Sequence, residues 1–191
     1  MKKILAVALF ICCAAFMVTL AGCSQVAEKI GIIGDKGKSY SETMNEKLVS
    51  FTDCANALCD SLERIADRTY APTDSQTADI QYKLDAFGKA CGELAGQKAP
   101  AEYSVAQEAM NEAMENYADA IEKCGALLEF YGAYDDMFRK YKDPAEGKAA
   151  IEKNERALYE DFANAMKKAD DSFRTACEKF DSVNKQNNSE E

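Results

Sequence analysis

The sequence predicts an all-α protein, an antiparallel up-down bundle of about four helices in which the third and fourth are longest. Apolar side chains recur at alternating steps of three and four along most of the chain, a spacing that gathers them on one face of a helix. Proline-containing turn signals cut this pattern into four segments joined by short links, and short links favour antiparallel neighbours. No stretch shows the two-residue alternation of a half-buried strand.

The first helix starts at Ser41 and carries Met44, Leu48, Phe51, Ala55, Leu58, Leu62 and Ile65 as one stripe, ending near Tyr70. Pro72 cannot continue it, and Thr73 with Gln76 forms a capping box for the second helix, whose stripe is Ile80, Leu84, Phe87, Cys91 and Leu94. Pro100 opens the third helix in its first turn, where a missing N–H costs nothing. The longest stripe follows: Tyr103, Ala106, Met110, Ala113, Tyr117, Ala120, Cys124, Leu127, Tyr131, Tyr134, Phe138 and Tyr141. Either this helix bends near Gly125 or Gly132, or its far end pairs with the fourth as a two-helix extension. Asp143, Pro144 and Glu146 fit the N-cap, first and third positions of the fourth helix. It carries Ile151, Leu158, Phe162, Ala165, Ala169, Phe173, Ala176, Phe180 and Val183. The helical domain is thus 40–184, with a polar disordered tail over 185–191.

Charge and composition remove several function classes. The chain has 23 Lys and Arg against 33 Asp and Glu, net −10, with no basic cluster, so nucleic acid is an unfavourable partner. There is no histidine. Ser-His-Asp and Cys-His nucleophile systems, histidine-ligated zinc or haem, and the Glu-x-x-His motif of di-iron bundles are therefore excluded.

The N-terminus has Lys2 and Lys3, an apolar run from Ile4 to Leu20, and then Leu20-Ala21-Gly22-Cys23. A positive start, a short apolar core and small residues at the cut make a signal peptide, and the cysteine directly after them resembles the lipobox of bacterial lipoproteins. The resemblance implies that residues 1–22 are removed between Gly22 and Cys23, that the Cys23 thiol carries diacylglycerol, and that its freed amine is acylated. It implies a protein held by lipid on the cell membrane or outer membrane, facing away from the cytoplasm. In a two-membrane host, Ser24 lacks the aspartate of inner-membrane retention and leans towards the outer one. Loss of Lys2 and Lys3 takes the net charge from −10 to −12, which repels anionic headgroups and leaves attachment to the acyl chains. The competing reading is an uncleaved anchor, because a membrane span takes ~20 apolar residues. Residues 23–39, with Gly31, Gly34 and Gly37 around Ile30, Ile32 and Ile33, read as a flexible lipidated tether.

The tract Pro100-x-x-Tyr103-x-x-Ala106, leading to Tyr117-x-x-Ala120-Ile121, resembles small helical lipoproteins of Gram-positive bacteria. That resemblance implies a helical exported domain and no particular reaction.

Within the domain, Cys54, Cys59, Cys91, Cys124 and Cys177 read first as small buried hydrophobes, with structural disulfides and redox or metal work as alternatives. Cys54 and Cys59 stand on different faces of one helix and should not bond to each other, whereas Cys91 with Cys124 is open as a bridge between helices. Zinc is disfavoured, since there is neither histidine nor a Cys-x-x-Cys pair. Tyr131, Tyr134, Asp135, Phe138 and Tyr141 form the candidate ligand or partner surface, because tyrosine joins an apolar face to a polar tip. Phe130 and Asp136 lie among them. The row Gly88, Gly92, Gly96 reads as a weak helix or a close-approach face. Asp135-Asp136 and Asp170-Asp171 read as solvated faces. The expected function is a non-enzymatic binding or interaction module with no cofactor and no metal, its partner a protein or envelope component. The alternative is a thiol-based redox or metal-handling envelope protein.

Overall fold

Each helix is built where its stripe and caps place it. The computed structural model describes residues 39–66 and 72–187. Gly22, Cys23, most of the tether and the expected first-helix end near Tyr70 lie outside the described residues. The elements are α1 (Tyr40–Ala66), α2 (Asp74–Ala95), a 3-10 turn (Ala101–Tyr103), α3 (Ser104–Gly132), α4 (Tyr134–Arg139) and α5 (Pro144–Asn187). Among the described residues there is no strand, and no helix is long and apolar enough to cross a membrane.

Thr73 accepts from the Gln76 N–H while its own N–H donates to Gln76 Oε1 at 3.0 Å, so the capping box starts α2 as expected. Asp143 Oδ1 accepts from the Ala145 N–H at 2.8 Å and caps α5 just before Pro144. Cross-helix pairs fix the directions. Lys47 meets Glu93 at 2.8 Å and Ser61 meets Asp79 at 2.8 Å, so α1 and α2 run antiparallel. Gln107 donates to the Leu94 carbonyl at 3.0 Å at the α2–α3 joint. Between α3 and α5 the pairs are Tyr103 with Asn184, Tyr117 with Asp170 and Tyr131 with Glu155, again antiparallel. Tyr40 stacks on Phe180 and Phe51 packs on Phe173, which closes α1 against α5. The four long helices thus run alternately up and down, and α5 continues past the others with α4 packed against it and its own Ile151 buried.

Two boundaries differ from expectation, and the third helix breaks at one of the two glycines where a bend was expected, each for a local reason. The third helix is preceded by a 3-10 turn, because the Tyr103 ring turns inward between Tyr40 and Phe180. Its far end breaks at Gly132, where the Ala133 N–H is shared between the Glu129 and Phe130 carbonyls. Beyond that point α4 restarts as a short helix that packs mainly on α5. Gly125 passes straight through the helix. Finally, α5 runs to Asn187 through the first residues assigned to the tail. The Tyr103 hydroxyl holds that last turn by donating to Asn184 Oδ1 at 2.7 Å and accepting from Asn187 Nδ2 at 3.3 Å.

Candidate functional site

The centre of the bundle is filled by four rings, one from each long helix: Phe51, Phe87, Tyr117 and Phe173. Phe51 lies 5.1, 5.3 and 4.9 Å from the other three ring centroids, in that order, within the range of favourable aromatic contact. Alanines at positions 106, 113, 120, 169 and 176 bring α3 and α5 close around them.

A carboxyl group sits in this apolar setting. Asp170 is only 3 % exposed, which corrects its reading as part of a solvated pair; Asp171, Asp135 and Asp136 do stand in solvent. The Tyr117 hydroxyl donates to Asp170 Oδ1 at 2.7 Å, while Asp170 Oδ2 meets no hydrogen-bond partner among the described residues. Burial pushes the Asp170 carboxyl up to about 7, against the opposing pull of the Tyr117 hydrogen bond. Burial also drives the Tyr117 hydroxyl well above its ordinary value, helped by the neighbouring Asp170 charge. A signal for Asp170 was present in the sequence: Met166, Asp170, Phe173 and Cys177 recur at steps of four, three and four, which sets the carboxyl on a buried edge of α5.

The predicted aromatic surface divides in two. Tyr131 turns into the α3–α5 seam and donates to Glu155 Oε1 at 2.9 Å, and burial raises its hydroxyl above the ordinary range. Tyr134 packs edge-on to Phe130 at 6.4 Å. Asp135 is exposed, and Phe138 and Tyr141 are each 37 % exposed on the α4 side of the extension. Asp135 is the one carboxylate of the predicted set, and among the described residues it is Glu155, not Asp135, that accepts from the Tyr131 hydroxyl.

A Ser-Lys pair joins α1 and α2. Buried Ser61 accepts from Lys83 and donates to Asp79 Oδ2 at 2.8 Å, and Lys83 also bridges Asp79 at 2.8 Å. The Asp79 carboxylate is held below its usual range, chiefly by the Lys83 hydrogen bond, and the trio ties α1 to α2 as an interhelical clamp.

Cys54, Cys59, Cys91 and Cys124 are free thiols. Cys91, Cys124 and Cys177 are buried, and burial pushes the Cys91 and Cys124 thiols up to about 12. Cys91 and Cys124 do not form the interhelical bridge that their sequence positions left open. The glycine row does not meet one continuous neighbour: a Cβ on Gly88 would lie 3.6 Å from Ile121, one on Gly92 would meet open space, and Gly96 caps the end of α2. Between α1 and α5 lies a shallow groove with an apolar floor of Met44, Leu48, Cys177 and Phe180 and a polar rim including Asp181 and Asn184. It has room for about one water molecule.

Compared with protein-family models, curated proteins and solved structures, the chain matches none of them.

Proposed function

We propose that this chain is a lipid-anchored binding module displayed on the outer side of a membrane, acting without catalysis through its outer surface. The observation that carries the reading is the ring-filled centre: the four long helices spend their inward faces on one another, so a partner is met from outside. Anchorage rests on the lipobox resemblance at Leu20-Ala21-Gly22-Cys23, with Cys23 acylated. From Phe180, beside Tyr40 at the start of the domain, α5 runs roughly 54 Å to Pro144 at ~1.5 Å per residue. The half-exposed rings of Phe138 and Tyr141 therefore stand far along the bundle from Tyr40, where the helix that follows the tether begins, and they are the proposed contact for a protein or envelope component.

Two measurements test the two halves of this reading. Intact mass of membrane-extracted protein, with and without reduction, should show acylation at Cys23 and no residues 1–22; a mass that keeps those residues rejects the lipoprotein. A photo-cross-linker at Phe138 in intact cells should give a discrete product that the same group at Tyr82, 74 % exposed on α2, does not. Equal or absent products at both positions count against the tip as the contact. The thiol-based alternative draws less support, because three of the five thiols are buried and burial holds Cys91 and Cys124 in the protonated, unreactive form.

A further inference from the structure

Asp170 is a buried ionisable group that no interaction module needs for stability, and burying a charge without a counter-ion is costly. An ionised carboxylate offers about four acceptor sites. Among the described residues the Tyr117 hydroxyl donates to Oδ1, and Oδ2 meets no donor. Arg174, the cation that acts on Asp170, donates instead to Asp171 at 2.7 Å.

Position adds a second argument. Asp170, Cys177, Asp181 and Asn184 follow one another at steps of seven, four and three, so they share one edge of α5. The last three line the groove against Ser41, Met44, Asn45 and Leu48 of α1. The α1–α5 seam is thus incompletely filled along the edge of α5 that carries Asp170, beginning about two turns further on at Cys177.

We infer that Asp170 is a proton-controlled latch between α5 and the rest of the bundle: the closed core holds it as the neutral acid, and loss of that proton favours an opened seam in which the carboxylate is hydrated. The groups that bias the latch come from each packed element. From α3, the Tyr117 hydroxyl favours the charged form; from α5, Arg174 favours it and Asp171 opposes it. Cys91 of α2 and Cys177 of α5 act on the Tyr117 hydroxyl, and α1 meets the cluster with the Phe51 ring. Burial outweighs all of these and favours the neutral acid.

With the closed-state carboxyl at about 7 and an ordinary value of 3.8 once hydrated, opening should become about a hundredfold more favourable between pH 5 and pH 8. The test uses the full chain in detergent, labelled with 13C at aspartate carboxyl groups. The Asp170 signal, identified by its loss in Asp170→Asn, should titrate near neutrality. Amide exchange around Asp170 and Tyr117, corrected for its intrinsic pH dependence, should rise about a hundredfold from pH 5 to pH 8 in the native chain and stay flat in Asp170→Asn. Titration in the ordinary carboxylate range, or the same rise in both chains, overturns the latch. Should Asp170→Asn fail to fold, Tyr117→Phe removes the donor that favours the charge and should move the midpoint upward; an unchanged or lower midpoint overturns it equally.

Discussion

The ring of Tyr141 occupies the space where a side chain on Gly147 would stand: a Cβ there would lie 2.8 Å from Tyr141 Cβ and 2.9 Å from Cγ. Gly147 is buried in the first turn of α5, its N–H donating to the Asp143 carbonyl at 3.0 Å. The absent side chain is what lets the segment after α4 lie flat on α5 and brings Tyr141 to the tip surface.

Gly147→Ala should therefore destabilise the extension even though alanine is the better helix former by about 1 kcal/mol. The clash is with backbone-proximal atoms that cannot rotate away, so a net cost of about 1–3 kcal/mol is expected, as for other overpacked sites. Thermal unfolding checks the sign, and amide exchange should show the loss concentrated in α4. A variant more stable than the native chain would mean that Tyr141 is free to move.

The four-ring centre predicts where the global stability resides. Phe51 is fully buried against rings from α2, α3 and α5, so Phe51→Ala leaves a cavity that three helices must share. The expected cost is about 3–5 kcal/mol in denaturant unfolding. Tyr82→Ala, on the exposed face of α2, should stay within about 0.5 kcal/mol. Similar costs at the two positions would show that the centre is looser than its ring contacts indicate.

The contrast between these positions also explains what was legible in the sequence. Met44, Phe51, Leu84, Phe87, Met110, Tyr117, Phe162 and Phe173 announce their burial through step spacing alone, and Thr73 with Gln76 announces a helix start through local hydrogen bonding. Such signals need no knowledge of neighbours. The break at Gly132 was legible only as one of two glycines, because the choice depends on where α1 and α2 stop covering the stripe. Tyr131 was grouped with Tyr134, Phe138 and Tyr141 by sequence proximity, yet its hydroxyl is claimed by Glu155 from the opposite helix. Asp170 was misread because its neighbour Asp171 suggested a charged face, although its own spacing to Met166 and Phe173 is that of a core residue. Residue type outweighed register there, and register was right.

The Ser61–Asp79–Lys83 clamp makes a pH prediction of opposite sense to that of Asp170. The Asp79 carboxyl lies below its ordinary value of 3.8, first because of the Lys83 hydrogen bond and then because of that from Ser61. A carboxyl lowered in the folded state contributes stability that is present above its unfolded value and is lost as pH falls through the folded one. Asp79→Asn should thus destabilise the bundle at neutral pH and become indistinguishable from the native chain in strong acid. Chemical denaturation across pH 2 to 7 checks it; a difference that persists undiminished at the acid end would point to a steric effect of the amide instead.

The thiols supply the last prediction, and it bears on the alternative function. The thiolate is the reactive form, and at pH 8 a thiol pushed up to about 12 is ionised only to about one part in ten thousand. Cys91 and Cys124 are in that state and are also walled off by the core. Their alkylation should wait for unfolding. Cys54 and Cys59 are half-buried on α1; burial, with Asp53 and Glu93 adding to it, raises the Cys54 thiol. Timed alkylation of folded protein, followed by peptide mass mapping, should label Cys59 and Cys54 first and reach Cys91 and Cys124 only in denaturant. Rapid labelling of Cys91 or Cys124 in the folded chain would revive a thiol-based role for the core. With the expected order, redox chemistry in the folded domain is left to Cys177 at the α1–α5 groove and to Cys54 and Cys59, five residues apart on one helix. At that spacing the side chains of Cys54 and Cys59 diverge by roughly 140°, so they cannot form a disulfide with each other.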